Sequence, residues 1–236
     1  MNAKQEIGIV ILSRYNSSRL PGKALMKLVG KPVLTYIVER LSRVVPLDHI
    51  VLATSSEKSD DPIADFAKAE GISCFRGSLD NVSERFFQAA YSKGWDYAAR
   101  INGDNIFVDI NVLSDMLALA RDDKYDFISN VKGRTFPKGM SIEIVRVAYY
   151  QGVLPHINET AAYREHVTLY LYEQALQDTH YYYLNHALPK ASGIQLALDT
   201  REDFERSESI IREFKKEQWT YNMEEIMNIL KHINHG

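Results

Sequence analysis

The segment best suited to chemistry follows the first apolar run of the chain. Residues 13–32 read SRYNSSRLPGKALMKLVGKP, and from Ile7 to Val38 there is no Asp or Glu, whereas Arg14, Arg19, Lys23, Lys27 and Lys31 all fall there. In a chain with 28 basic and 31 acidic residues and a formal net charge of −3, that is a local positive field, not a general basicity. Asn16, Ser17, Ser18 and Gly22 add small side chains and backbone N–H groups able to wrap a phosphate. Arg and Lys supply fixed charge for polyphosphate oxygens. Taken alone, the same residues also suit a solvated basic loop. G-x-x-x-x-G-K-[ST] and G-x-G-x-x-G are both absent, so neither a P-loop ATPase nor an NAD-type site fits.

Two carboxylates stand at comparable places. Asp104, in Asn102-Gly103-Asp104-Asn105, lies just past an apolar strand pattern; Asp199 follows the apolar Ile194–Leu198 and precedes a helix starting near Arg201. In a parallel sheet both would emerge at the crevice beyond the strand ends, where the basic loop also lies. A turn aspartate and a helix N-cap are the structural alternatives. The histidines show no zinc-ligand spacing, and the single Cys74 excludes a disulfide framework and a Cys-based zinc site.

The elements that must position these groups alternate. Strands are expected at Ile7–Leu12, His49–Thr54, Ser73–Phe75, Trp95–Ile101 and Tyr125–Ser129. Helices are expected from Val33 to about Val45, after Asp60-Asp61-Pro62 to Gly71, over Asn81–Ser92 and over Asp109–Arg121. Less regular patterns suggest strands at Met140–Val145, Tyr181–Ala187 and Ile194–Leu198, a helix over Thr160–Leu176, and closing helices over Glu202–Phe214 and Met223–Ile233. The expected fold is α/β: a doubly wound, mostly parallel (mixed) sheet with helices on both faces and a small insertion or subdomain. A single domain over 1–236 is expected, with an acceptor-side subdomain around 130–190. Composition (45% hydrophobic, 25% charged) is that of an ordinary globular chain. No apolar run approaches the ~20 residues of a membrane span, so a cytoplasmic protein without membrane or nucleic-acid partners is expected.

The stretch SRYNSSRLPGKALMKLVGKPVLTYIVERL resembles the nucleotide-binding segment of the CMP-sugar synthetase group of nucleotidyltransferases, especially the spore coat polysaccharide cytidylyltransferases. The R-x-x-S-[ST]-R-L-P-G-K loop of that group is met by Arg14, Ser17, Ser18, Arg19, Leu20, Pro21, Gly22 and Lys23. The likeness continues through VLATSSEKSDDPIADFAKAEGI, FRGSLDNVSERFFQAA, RINGDNIFVD, FPKGMSIEI, YREHVTLYLYE and LALDTREDFE in the same order. Two positions depart from it. Asn16 stands where the family has Gly, and the family's G-L-D-[VI]-E is here Gly139-Met140-Ser141-Ile142-Glu143, which bears on acceptor identity.

The resemblance implies a Mg²⁺-dependent cytidylyltransferase that moves CMP from CTP to a sugar, sugar acid or sugar phosphate and releases pyrophosphate, in surface polysaccharide biosynthesis. It implies Lys23, Arg14 and Asp104 as catalytic residues and Ser13, Arg14, Asn16, Ser17, Arg19, Gly22, Lys23, Ser78, Arg85 and Asp104 as nucleotide contacts. Ser141, Glu143, Arg164, Glu165 and His166 fall to the acceptor, and Asp104 and Asp199 to the metal. A homodimer is expected. The alternatives are a cytidylyltransferase for a non-sugar phosphate and a nucleotide-sugar-dependent glycosyltransferase; the second would carry a D-x-D motif at a strand end, and none occurs there.

Overall fold

Alternation along the first strand sets up two cores. The computed structural model describes residues 5–17, 19–174 and 178–235. In β1 (Ile7–Leu12) every residue is buried; Ile7, Ile9 and Ile11 enter one apolar cluster, Val10 and Leu12 the other. Gly8 faces Trp95, whose ring would lie 2.2 Å from an added Cβ, so no larger residue fits that position. A short hairpin, β2 (Lys27–Leu28) and β3 (Lys31–Pro32), lies inside the segment expected to be a plain polar loop. It leads into α1 (Val33–Leu41).

β4 (Ile50–Ser55), α2 (Asp61–Ala69), β5 (Ser73–Gly77), α3 (Val82–Tyr91), β6 (Tyr97–Asn102), α4 (Ile110–Arg121) and β7 (Phe127–Ser129) follow with the expected rhythm. Next come β8 (Glu143–Arg146), α5 (Val147–Ile157), α6 (Ala161–Glu165), α7 (Leu169–Glu173), β9 (His180–Tyr182), α8 (Arg201–Arg212) and α9 (Met223–His235). The seven-stranded sheet has the order β5-β4-β1-β6-β8-β7-β9. Only β8 runs against the rest, antiparallel to both β6 and β7. Residues of α1, α2, α4, α8 and α9 pack in the cluster on one face, and those of α3 and α5 in the cluster on the other. The mixed, doubly wound α/β fold is therefore present. β8 and β9, from the segment expected to hold a subdomain, pair into this same sheet.

Three local expectations change. Ile194–Leu198 forms no strand: it pairs through one bridge, Lys138 to Gln195, because its neighbour leaves the extended conformation at Gly139 (φ 93°), where a Cβ would lie 2.3 Å from Ala197 N. The strand expected over Tyr181–Ala187 spans only His180–Tyr182, since its partner β7 ends at Ser129. The helix expected over Thr160–Leu176 is broken at 166–168, where the Thr168 hydroxyl is drawn to Glu143 and the Val167 carbonyl accepts from the Tyr150 hydroxyl; Leu176 lies outside the described residues. The sequence reading assigns no helix to α5, which contains Pro155, a residue that removes the N–H due to the Gln151 carbonyl and so argues against a helix there.

Candidate active site

Where the strand order reverses, β1 and β6 lie side by side, and the ends of parallel strands open a crevice there. Gly103 N–H donates to Leu12 O (2.8 Å), and a Cβ at Gly103 would stand 2.7 Å from Ser13, so glycine lets the end of β6 close onto the basic loop. The crevice is a cleft of about 340 Å³. The loop after β1 contributes Ser13, Arg14, Asn16, Ser17, Arg19 and Lys23; Arg85 and Val82 come from α3, Arg100, Asn102, Gly103 and Asp104 from β6 and its turn, and Glu165 and His166 from the α6 end.

Lys23 is the convergence point. Its Nζ donates to Asp104 Oδ2 (3.0 Å), Asp199 Oδ1 (3.2 Å) and Leu198 O (2.7 Å), a full complement for an ammonium group. Leu198 N–H also donates to Asp104 O (3.2 Å), which ties the two aspartate segments together. Asp199 does not cap α8. The N-cap is Thr200, in a reciprocal capping box with Asp203, so the Asp199 carboxylate is left to Lys23 and Arg19 (2.9 Å). Two carboxylates that reach one ammonium also have oxygens converging on one point. Oxygen donors of that kind suit a hard divalent cation completed by phosphate and water. Among the described residues no group of three or more His, Cys, Asp or Glu converges.

Arg14 pairs with Glu165 across the cleft (3.2 Å). Arg85 is buried; its Nη1 donates to Ser78 O and its Nε has no partner. Burial first, then the neighbouring Arg14 charge, lowers its pKa to about 10, which leaves it cationic at neutral pH. Gly22 (φ 72°) lies under the Tyr15 ring and shapes the loop without lining the cleft. Ser78 is exposed, its Oγ accepting from Asn81 N–H (3.0 Å) and its carbonyl braced by Arg85. Ser18 lies outside the described residues.

The residues expected at the acceptor divide. Glu165 and His166 line the cleft. Arg164 turns away and donates to Asn158 O (2.7 Å), and Ser141 presents its carbonyl to Asn105 (3.0 Å). Glu143 is buried at 2% exposure, ion-paired with Arg100, and its Oε1 accepts from Thr168 Oγ1 and Tyr172 OH (both 2.6 Å). Burial, together with the Glu143 charge, holds the Tyr172 phenol protonated far above its ordinary range. Glu143 therefore meets the cleft only through Arg100, which the sequence reading missed. The available signal was a lone arginine in the otherwise apolar strand pattern Tyr97–Ile101.

Taken together, a doubly wound sheet, a basic loop at its switch point and paired carboxylates against a lysine define a site for handling nucleoside polyphosphates. Residues 8–229 match the cytidylyltransferase family, and the chain belongs to it. It is 31% identical over 211 residues to the spore coat polysaccharide biosynthesis protein SpsF of Bacillus subtilis, covering 85% of this chain and 84% of that one. It is 35% identical over 104 residues to a 3-deoxy-manno-octulosonate cytidylyltransferase of Acinetobacter baumannii, covering 43% of this chain and 37% of that one. A cytidylyltransferase structure from Leptospira borgpetersenii superposes with a TM-score of 0.90 at 29% identity, covering 98% and 96% of the two chains. The protein is a nucleotidyltransferase of the cytidylyltransferase type. Among the described residues, no helix is long and apolar enough to cross a membrane.

Proposed function

We propose that the protein transfers CMP from CTP to a sugar, sugar acid or sugar phosphate, with Mg²⁺ as its metal, in surface polysaccharide biosynthesis. An acceptor oxygen attacks the α-phosphorus; the new O–P bond forms as the bond to the β-phosphate oxygen breaks, and pyrophosphate leaves. A bound Mg²⁺ would offset charge on the phosphoryl oxygens, held by Asp104 and Asp199. Lys23 and Arg14 supply fixed positive charge for the triphosphate and the departing pyrophosphate, and Ser13, Asn16, Ser17 and Arg19 flank it. The observation that carries this reading is the meeting of Lys23, Asp104 and Asp199 at one point beside the loop (3.0 and 3.2 Å). The acceptor reaches the α-phosphate from the side of Glu165, His166 and Arg100. Sugar-polysaccharide chemistry is the reading that the name of the Bacillus subtilis relative supports.

The test is pyrophosphate release with each of the four NTPs and Mg²⁺ against ulosonic acids, neutral sugars and sugar phosphates. Release only with CTP and one acceptor class is expected. Release with another NTP in preference would overturn the nucleotide assignment.

A further inference from the structure

The loop that carries Arg14 to Lys23 needs a fixed point, because among the described residues of 13–22 none belongs to a strand or helix. Leu25 and Met26 N–H donate to Gly22 O (3.0 and 3.2 Å) just downstream; among the described residues, one hydrogen bond from a distant part of the chain reaches the backbone of residues 14–22. Tyr15 N–H donates to Asp60 Oδ1 at 2.8 Å. Asp60 lies 45 residues away in the chain, is 1% exposed, and sits just before α2. Its other oxygen, Oδ2, accepts from Ser55 N–H (3.0 Å) and the Ser55 hydroxyl at the end of β4. One carboxylate therefore joins the loop to the sheet.

The platform beneath it is braced. Arg76, on β5, donates to Ser55 O (3.0 Å) and Glu57 O (2.7 Å) and pairs with Asp61 (2.6 Å), so the turn that presents Asp60 is held from its far side. On the near side the constraint passes onward. The Tyr15 carbonyl accepts from Ser17 N–H (3.1 Å) and Gly22 N–H (2.8 Å), and Gly22 directly precedes Lys23. Both backbone polar groups of Tyr15 are thus committed, one to Asp60 and the other to closing the loop.

We propose that Asp60 is a positioning residue for the nucleotide. It fixes Tyr15, Tyr15 fixes Gly22, and Lys23 and Arg14 are held at the cleft before any ligand arrives. Asp60 does not line the cleft and touches no reacting atom. Its effect on catalysis comes through preorganisation, since small misplacements of charged groups cost large factors in rate. The link to nucleotide rests on the function proposed above; the link to loop order does not.

The variants are Asp60→Ala, which removes both sets of bonds, Asp60→Asn, which offers one acceptor oxygen in place of two, and Ser55→Ala, which loosens the platform but leaves the Tyr15 bond. Each is measured well below its melting temperature for amide exchange at Gly22 and Lys23 without ligand, and for KM and kcat with CTP. Asp60→Ala is expected to speed exchange at both amides and to raise the KM for CTP about tenfold or more, with the acceptor KM changed far less. Asp60→Asn is expected to fall between it and wild type, and it carries the test if the alanine variant does not fold. Ser55→Ala is expected to lower the melting temperature with both loop readouts unchanged. Loop exchange and CTP KM at wild-type values in the Asp60 variants would overturn the proposal, as would Ser55→Ala reproducing their full effect. If wild type fails to use CTP, the function reading falls, while amide exchange still decides the role of Asp60.

Discussion

Lys23 Nζ stands 3.0 Å from Asp104 Oδ2, and the same ammonium reaches Asp199 Oδ1 at 3.2 Å. Without ligand, the lysine holds together the two carboxylates proposed above to receive a divalent cation. A metal entering alone must compete with a resident positive charge, whereas one entering with a triphosphate brings the anion that can draw Lys23 away.

Lys23→Ala should therefore do two things. Turnover is expected to fall about a hundredfold to a thousandfold, as when a charge aimed at the transition state is removed. The nucleotide-free variant is also expected to gain Mg²⁺ affinity, because Asp104 and Asp199 lose the cation they share, with only Arg19 left on Asp199. Melting temperature followed against Mg²⁺ checks this: a larger Mg²⁺-dependent rise in the variant than in wild type is expected.

Asp199 and Thr200 should separate cleanly. Asp199→Asn is expected to lower turnover with little loss of stability, since the cap of α8 belongs to its neighbour. Thr200→Ala is expected to cost about 1 kcal/mol of stability and little activity. Parallel denaturant melts and rate assays distinguish them. Asp104→Asn should behave as Asp199→Asn does.

Glu143→Gln should be costly to the fold. The carboxylate is buried, pairs with Arg100 and satisfies Thr168 and Tyr172. Breaking one side of a buried ion pair costs about 3–5 kcal/mol. Urea unfolding is expected to report a loss near the lower end, because Arg100 keeps some access to solvent through the cleft.

Acid stability should depend on Asp60. Burial pushes its pKa upward, but hydrogen bonds from Ser55 and Tyr15 outweigh this and hold it below the ordinary carboxylate value. A depressed folded pKa contributes stability that is complete above the unfolded value, about 3.9, and is lost as pH falls through the folded one. Between about pH 5 and about pH 3, Asp60→Asn is expected to lose less stability than wild type, by urea unfolding at each pH.

Much of this site was legible because its parts are local. Continuous apolar runs such as Ile7–Leu12 signal buried parallel strands, and the absence of acidic residues through Val38 marks the basic loop without any knowledge of its shape. Asp104 was readable because it follows a strand directly. What stayed hidden depends on distant partners. Asp60 reads as an ordinary helix start, and nothing nearby reveals that its carboxylate meets Tyr15. Arg100 and Glu143 are 43 residues apart and meet only once β8 lies antiparallel to β6. The segment Ile194–Leu198 has a strand's composition, yet Gly139 supplies its neighbour and ladder pairing never forms. The Thr160–Leu176 pattern is helical in period, but Glu143 and Tyr150 draw Thr168 and Val167 out of register.

The central claim is CTP-dependent transfer of CMP at the Lys23–Asp104–Asp199 convergence. Phosphorus NMR of the purified protein with CTP, Mg²⁺ and the acceptor panel follows each phosphorus to its product. The expected result is a CMP ester of one acceptor class, with the β- and γ-phosphorus recovered as pyrophosphate, and neither product from Asp104→Asn. Inorganic phosphate with CDP, or full turnover in Asp104→Asn, would contradict it.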